Sequence, residues 1–338
     1  MSAPLAAADW PSLPPYMNAG LDGREPAKVV MTGPNWPKIP AGTPAPVLSP
    51  FAFEIGARYW YSSGSVNFGF ANSNSSFGNP TSTIDWNGTT GHSGEIFGRF
   101  DYRPAGLFVK GLVGGGILSG GTMIDRDFSA GQFSFSDTSS NISGNGLAYG
   151  IVDFGATYNI PYAGVRLGAF LGYHYWREKL TANGFRCNPD DVGGVNCAAA
   201  TPVAANVPVL AYEPTWNALR IGADAQIKFL DRWTLSGEFA GVPYAQLTNN
   251  DSHLLRTAQL GPVPNIIDRS TSGYGAEAEV FVNYALTPKI EIGAGLRYWG
   301  LFAQRGTVDF GPSFSPNFPL QTFNEQRYGV LLQIKGKL

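Results

Sequence analysis

The sequence predicts an all-β protein: a ten-stranded antiparallel transmembrane β-barrel with long extracellular loops and short periplasmic turns. Three observations predict it. The chain has 338 residues of which only 14% are charged, against 13% aromatic and 43 Gly, whereas an ordinary soluble domain is about 25% charged. No run of 18 apolar residues occurs, which removes a transmembrane helix, yet mean hydropathy is close to zero, as it is for barrels whose strands alternate lipid-facing and lumen-facing residues. From Phe51 onward, alternating segments are separated in turn by tight Pro/Asp turns and by long Ser/Asn/Gly stretches. A soluble sandwich has strands nearer five or six residues and does not alternate loop lengths in this way.

Residues 1–8 read as the tail of a secretory signal peptide, because Leu5-Ala-Ala-Ala8 is a small-residue cleavage pattern lacking its charged and apolar lead. Residues 9–50 carry ten prolines, from Pro11 to Pro50. Proline has no ladder donor, so this arm is an extended segment, either disordered or docked on the barrel or a partner. Trp10, Tyr16 and Trp36 favour docking. Residues 51–338 form the barrel. The strands are expected at 51–61, 83–102, 106–121, 146–159, 164–176 and beyond, 211–229, 233–247, 273–285, 289–304 and 324–338. Tight turns fall at Arg103-Pro104-Ala105, Ile160-Pro161-Tyr162, Leu230-Asp231-Arg232 and Leu286-Thr287-Pro288. Tyr173, Tyr175 and Trp176 read as part of an aromatic girdle at the membrane surface.

Two stretches carry chemistry. Ser119-Gly-Gly-Thr-Met-Ile-Asp125-Arg-Asp127-Phe128 opens the loop after the third strand, and Asn249-Asn-Asp251-Ser-His253 opens the loop after the seventh. Residues i and i+2 on extended chain share a face, so Asp125 pairs with Asp127 and Asp251 with His253. With both termini periplasmic, odd strands end outside, and both motifs lie at the extracellular rim. Ten strands give a barrel roughly 20 Å across, so the third and seventh strands face each other over a gap of about a peptide's width. An acid pair opposite an Asp–His pair is a set of groups able to activate water. The plainer reading is that Asp and Asn are turn formers or that rim carboxylates bind Ca²⁺.

The formal net charge of −2 speaks against nucleic acid as a partner. Cys187 and Cys197 share one loop and are expected to form a disulfide in an oxidising compartment; the C-x2-C spacing of a zinc site is absent, and no metal site or cofactor is expected.

From Phe51 to Leu338 the chain resembles the omptins, outer-membrane proteases. The Gly-Gly-Thr-Met-Ile-Asp125-Arg-Asp127-Phe stretch is similar to the family's Gly-Gly-Asn-Met-Val-Asp-Gln-Asp-Trp, and Asn250-Asp251-Ser-His253 to its Asn-Asp-Glu-His. Gly172-Tyr173-His-Tyr-Trp-Arg177, followed by Thr181-Ala-Asn-Gly184, resembles a third signature. The resemblance implies that Asp125, Asp127, Asp251 and His253 are catalytic in a protease that forms no covalent intermediate. Asp251 would orient His253, His253 would take a proton from water, Asp125 would position that water, and Asp127 would share or relay a proton. It also implies lipopolysaccharide on the outer wall at Tyr173 and Arg177, required for activity. Departures concern specificity. Asn249 stands where the family has a substrate-pocket acid, and no acid occurs near 66–68 for the second. The expected reading is an outer-membrane endopeptidase with its cleft facing outside and a peptide or protein substrate. The alternative is a catalytically silent barrel acting as a structural, adhesion or partner-binding protein.

Overall fold

The computed structural model describes residues 49–72, 76–131, 133–160, 164–188, 202–311 and 317–338. The leader remnant, nearly all of the Pro-rich arm, and Cys197 lie outside the described residues. Cys187 is disulfide-bonded.

Twelve strand segments form one antiparallel sheet: β1 (Phe51–Asn72), β2 (Gly78–Tyr102), β3 (Leu107–Ser119), β4 (Thr122–Ser129), β5 (Phe133–Ile160), β6 (Val165–Cys187), β7 (Val203–Lys228), β8 (Trp233–His253), β9 (Ile266–Ala285), β10 (Ile290–Ala303), β11 (Thr307–Phe310) and β12 (Phe318–Lys337). The sheet closes because β1 pairs with β12 on one side, from Glu54↔Lys337 to Phe70↔Leu320, and with β2 on the other. β4 continues β3 along the same neighbours, β2 and β5. β11 likewise continues β10 between β9 and β12. The ring therefore has about ten staves, and closure leaves no edge strand.

The outer wall shows where the bilayer sits. Exposed Ile96, Val113, Phe154, Leu171, Ile221, Phe239, Leu296 and Leu332 form an apolar band. Phe51, Tyr102, Tyr158 and Trp233 border it at the end with the tight turns, and Tyr59, Tyr61, Tyr173, Tyr244, Tyr274 and Tyr328 border it at the other. Such paired aromatic girdles mark the two membrane interfaces. Trp176 is not part of them. It lies on the inward face of β6, fully buried, while Tyr173 faces out, because the strand's period of two separates odd from even positions.

Inside the band the lumen is filled by paired charges. Arg297 grips Glu95 at 2.7 and 3.0 Å and reaches Glu279 at 2.5 Å; Arg58 adds a 3.1 Å contact to Glu95. Lys110 bridges Glu238 at 2.6 Å and Asp224 at 3.2 Å, and His174 Nδ1 meets Glu277 at 2.7 Å. Buried ions need such partners, since stripping one away costs several kcal/mol.

The stretches expected as long extracellular loops are largely strand. β1 and β2 run on to Asn72 and from Gly78, β4 and β5 form a hairpin through 122–144, and β8 and β9 extend to His253 and from Ile266. Both chemical motifs thus sit on strands rather than in loops. Ser, Asn and Gly weaken the strand signal in a single sequence, but here pairing with long neighbours on both sides supplies the ladder.

The band's assignment is directly testable. Val113→Arg places a charge at mid-band on the lipid face and should cost about 2–4 kcal/mol in reversible unfolding from lipid vesicles, whereas Val113→Leu should cost less than about 1 kcal/mol.

Candidate active site

The site is made by a change of parity along the staves. On β3 the inward residues are even, ending at fully buried Leu118, and on β4 they are odd, beginning at buried Met123. Gly120 and Gly121 lie between, both with positive φ, at 67° and 97°. A Cβ on Gly121 would meet the Asn87 carbonyl at 2.4 Å, so glycine is needed at this break. The neighbouring stave switches at the same level: Gly88, also at positive φ, separates inward Thr89 from inward Trp86. One residue of slip turns every side chain beyond it to the other face. Asp125 and Asp127 therefore point into the barrel.

β8 makes a matching switch. Ala240 and Val242 face inward below the shift between Val242 and Ala245, and Ala245, Leu247, Asn249 and Asp251 face inward above it. Asp251 and His253 consequently join Asp125 and Asp127 in lining one cleft of about 290 Å³. The cleft lies beyond the Tyr244 girdle, outside the membrane-spanning segments.

His253 Nε2 stands 3.4 Å from Asp251 Oδ2, an ion-pair separation. Asp251 is almost fully buried. Burial alone would lower the affinity of His253 for a proton, but Asp251 beside it and Asp125 across the cleft hold its pKa above the ordinary value. Asp125 is pushed up to about 7, first by loss of water, then by Asp127 and Asp251. Asp127 is raised too, by burial, against the opposing pull of Ser82 and Arg256. Two acids this close share protons rather than both ionising.

Several supporting residues carry no sequence signal. Asn265 imitates a backbone neighbour for His253: its Oδ1 accepts from the His253 amide at 2.9 Å and its Nδ2 donates to the His253 carbonyl at 3.2 Å. Its own amide donates to the Asp251 carbonyl at 3.2 Å. Tyr212 is the cross-strand partner of Asp251. The Tyr212 hydroxyl and Asp251 Oδ1 are both buried. Burial, with Asp251, Asp268 and Asp125 nearby, drives the tyrosine pKa well up, so its proton stays available to that carboxylate. Arg256, on the segment after β8, also lines the cleft.

Asn249 does not line the cleft. It is fully buried, its Nδ2 donating to Asp268 Oδ2 at 2.7 Å and its Oδ1 accepting from the Glu213 amide at 3.0 Å. Tyr173 and Arg177 both face outward on β6. Tyr173 donates to Asn217 Oδ1 at 2.5 Å, and Arg177 pairs with Glu213, which also takes Lys179 at 3.3 Å.

No family profile matches the chain, and no curated protein matches it in sequence. Among solved structures, the outer membrane protease OmpT from Escherichia coli superimposes with a TM-score of 0.67 at 14% identity, over 85% of this chain and 97% of that one. The fold is omptin-like. At this identity the likeness is one of fold. A Ralstonia pickettii toluene transporter, TbuX, and a Pseudomonas aeruginosa FadL homologue align at 10% identity each, with TM-scores of 0.30 and 0.25, over 85% of this chain and 89% and 90% of theirs; overlays this loose bear on nothing further.

The raised Asp125 acid has a consequence for stability. The unfolded chain releases this proton near pH 4 and the folded chain near 7, so stability is full below about pH 4 and falls as pH rises through about 7. Asp125→Asn should remove the fall. Its unfolding free energy should match wild type near pH 4 and exceed it by on the order of 1–2 kcal/mol near pH 8, read from denaturant titrations in lipid vesicles.

Proposed function

We propose that the chain is an outer-membrane endopeptidase that adds water to a peptide bond, with its cleft on the outer side. One observation carries this reading: a buried Asp–His pair and an acid pair, supplied by staves across the barrel, line a single cleft. The OmpT-like fold supports it.

Asp251 faces Nε2 of His253, so Nδ1 is the nitrogen left to take a proton from water. The hydroxide adds to the scissile carbonyl carbon, and the carbonyl pair moves to oxygen. Asp125, near half-protonated at neutral pH and sharing its proton with Asp127, supports the oxyanion and places the water from the opposite wall. Collapse expels the amine, which takes up the proton held by His253. A separation of 3.4 Å is in the range that catalytic contacts show before substrate binds. Lipopolysaccharide is proposed to seat against Tyr173 and Arg177 on the outer wall, where Lys179 adds a second cation.

The test is cleavage of a mixed peptide library by refolded protein with lipopolysaccharide. His253→Ala, Asp251→Asn and Asp125→Asn should each lower turnover by about 10²–10⁴-fold while the barrel stays folded by circular dichroism. Unchanged turnover in His253→Ala, or none in folded wild type, would remove the reading in favour of a silent barrel.

A further inference from the structure

The rest of the cleft lining selects what is cut. The acid pair does not stand alone on its side of the barrel: across the sheet, Asp125 is in register with Ile84 and then Phe68, and Asp127 with Ser82 and then Phe70. The dyad has the same kind of neighbours. Asp251 is in register with Ile266, and Ile266 with Phe310. The arc of wall that runs from one pair to the other through β2, β1, β12, β11 and β9 is thus mainly apolar, with Thr81 and Ser82 its polar members. Its phenyl groups contact one another, with Phe70 5.4 Å from Phe310 and 5.7 Å from Phe318, centre to centre. At the rim Phe77, 40% exposed, extends the same lining. Phe68 and Phe70 are packing residues in part. Phe77 is set at the cleft mouth.

Arg256 is the second observation. It lines the same cleft, near enough to pull the pKa values of Asp125 and Asp127 downward against burial. Among the described residues, the only acids lining the cleft are Asp125, Asp127 and Asp251. A lysine or arginine side chain entering here would lose water against phenyl groups and meet a like charge, both unfavourable. Phenyl faces can also hold a cation, but the guanidinium already brings one to this cleft.

We propose that the cleft takes peptides cut beside a bulky apolar or aromatic residue, and that Arg256 favours an acidic over a basic residue at a flanking position. This rests on the endopeptidase reading. It assigns Phe77 and Arg256 to specificity: they touch the substrate's side chains and take no part in moving protons.

The experiment is the cut-site profile, by mass spectrometry, of the full chain refolded into lipopolysaccharide-containing bilayers and given a proteome-derived peptide library. Wild type should cut beside Phe, Tyr, Leu or Met about ten-fold more often than beside Lys or Arg. Arg256→Glu should raise kcat/KM about ten-fold on a matched peptide with a basic flanking residue and lower it on the acidic one, a reversal that mere loss of packing cannot produce. Phe77→Ala, at the rim and outside the buried core, should lower kcat/KM on the aromatic peptide about ten-fold more than on a matched alanine peptide. Preferred cutting beside Lys or Arg by wild type, or an Arg256→Glu profile identical to wild type, overturns this inference and leaves the protease standing. A folded wild type that cuts nothing overturns both.

Discussion

Closure of the sheet is the constraint on which everything else depends. In hydrocarbon no water can satisfy a backbone amide, so every strand must be paired on both sides. β1 meets this by laddering with β12 over most of its length and with β2 over all of it. Once the ring is shut, its size follows from the number of staves, and with size comes the distance between any two of them. The stave carrying Asp125 and the stave carrying Asp251 face each other because of that arithmetic. Neither motif has to fold toward the other.

The ring then has two storeys with different rules. Within the membrane the outside is apolar and the inside is a set of charge pairs such as Arg297–Glu95 and Lys110–Glu238. These pairs fill the lumen and brace opposite walls. Above the girdle the bilayer no longer dictates which face is apolar, and the staves use this freedom. Register breaks at Gly88, at Gly120–Gly121, between Val242 and Ala245, and across Gln304–Gly306 turn side chains from one face to the other at nearly one level. The result is an upper interior lined by phenyl and aliphatic groups, with Asp125, Asp127, Asp251 and His253 set into it beside Arg256.

That apolar setting is what gives the four groups their chemistry. In water Asp125 and Asp127 would both be ionised at neutral pH. Removed from water and placed side by side, they keep a proton, and Asp125 moves to about 7. The same surroundings strengthen the pull of Asp251 on His253. The raised Asp125 acid costs stability as pH rises through about 7. Rigid strands on both sides, with Asn265 holding the His253 backbone, keep the arrangement from relaxing.

Much of this could be read from the residues in order. Alternation from Phe51 onward, the Pro and Asp turns, and the scarcity of charge determined a transmembrane barrel, because the bilayer imposes the period of two on the sequence itself. The i, i+2 spacing put Asp125 with Asp127 and Asp251 with His253, since neighbours on one strand need no tertiary information. Tertiary structure alone decided the rest. It showed that the Ser- and Asn-rich stretches around both motifs are strand, because their ladder bonds come from partners distant in the chain. It turned Trp176 inward, where residue type suggested a girdle, and buried Asn249 against Asp268, where the family resemblance implied a substrate pocket. It brought Tyr212 beside Asp251, and Arg256, Phe77 and Phe310 to the cleft, residues with no shared pattern in sequence. Their meeting depends on register across several strands, and register is set by ring closure and by bulges that a single strand does not encode.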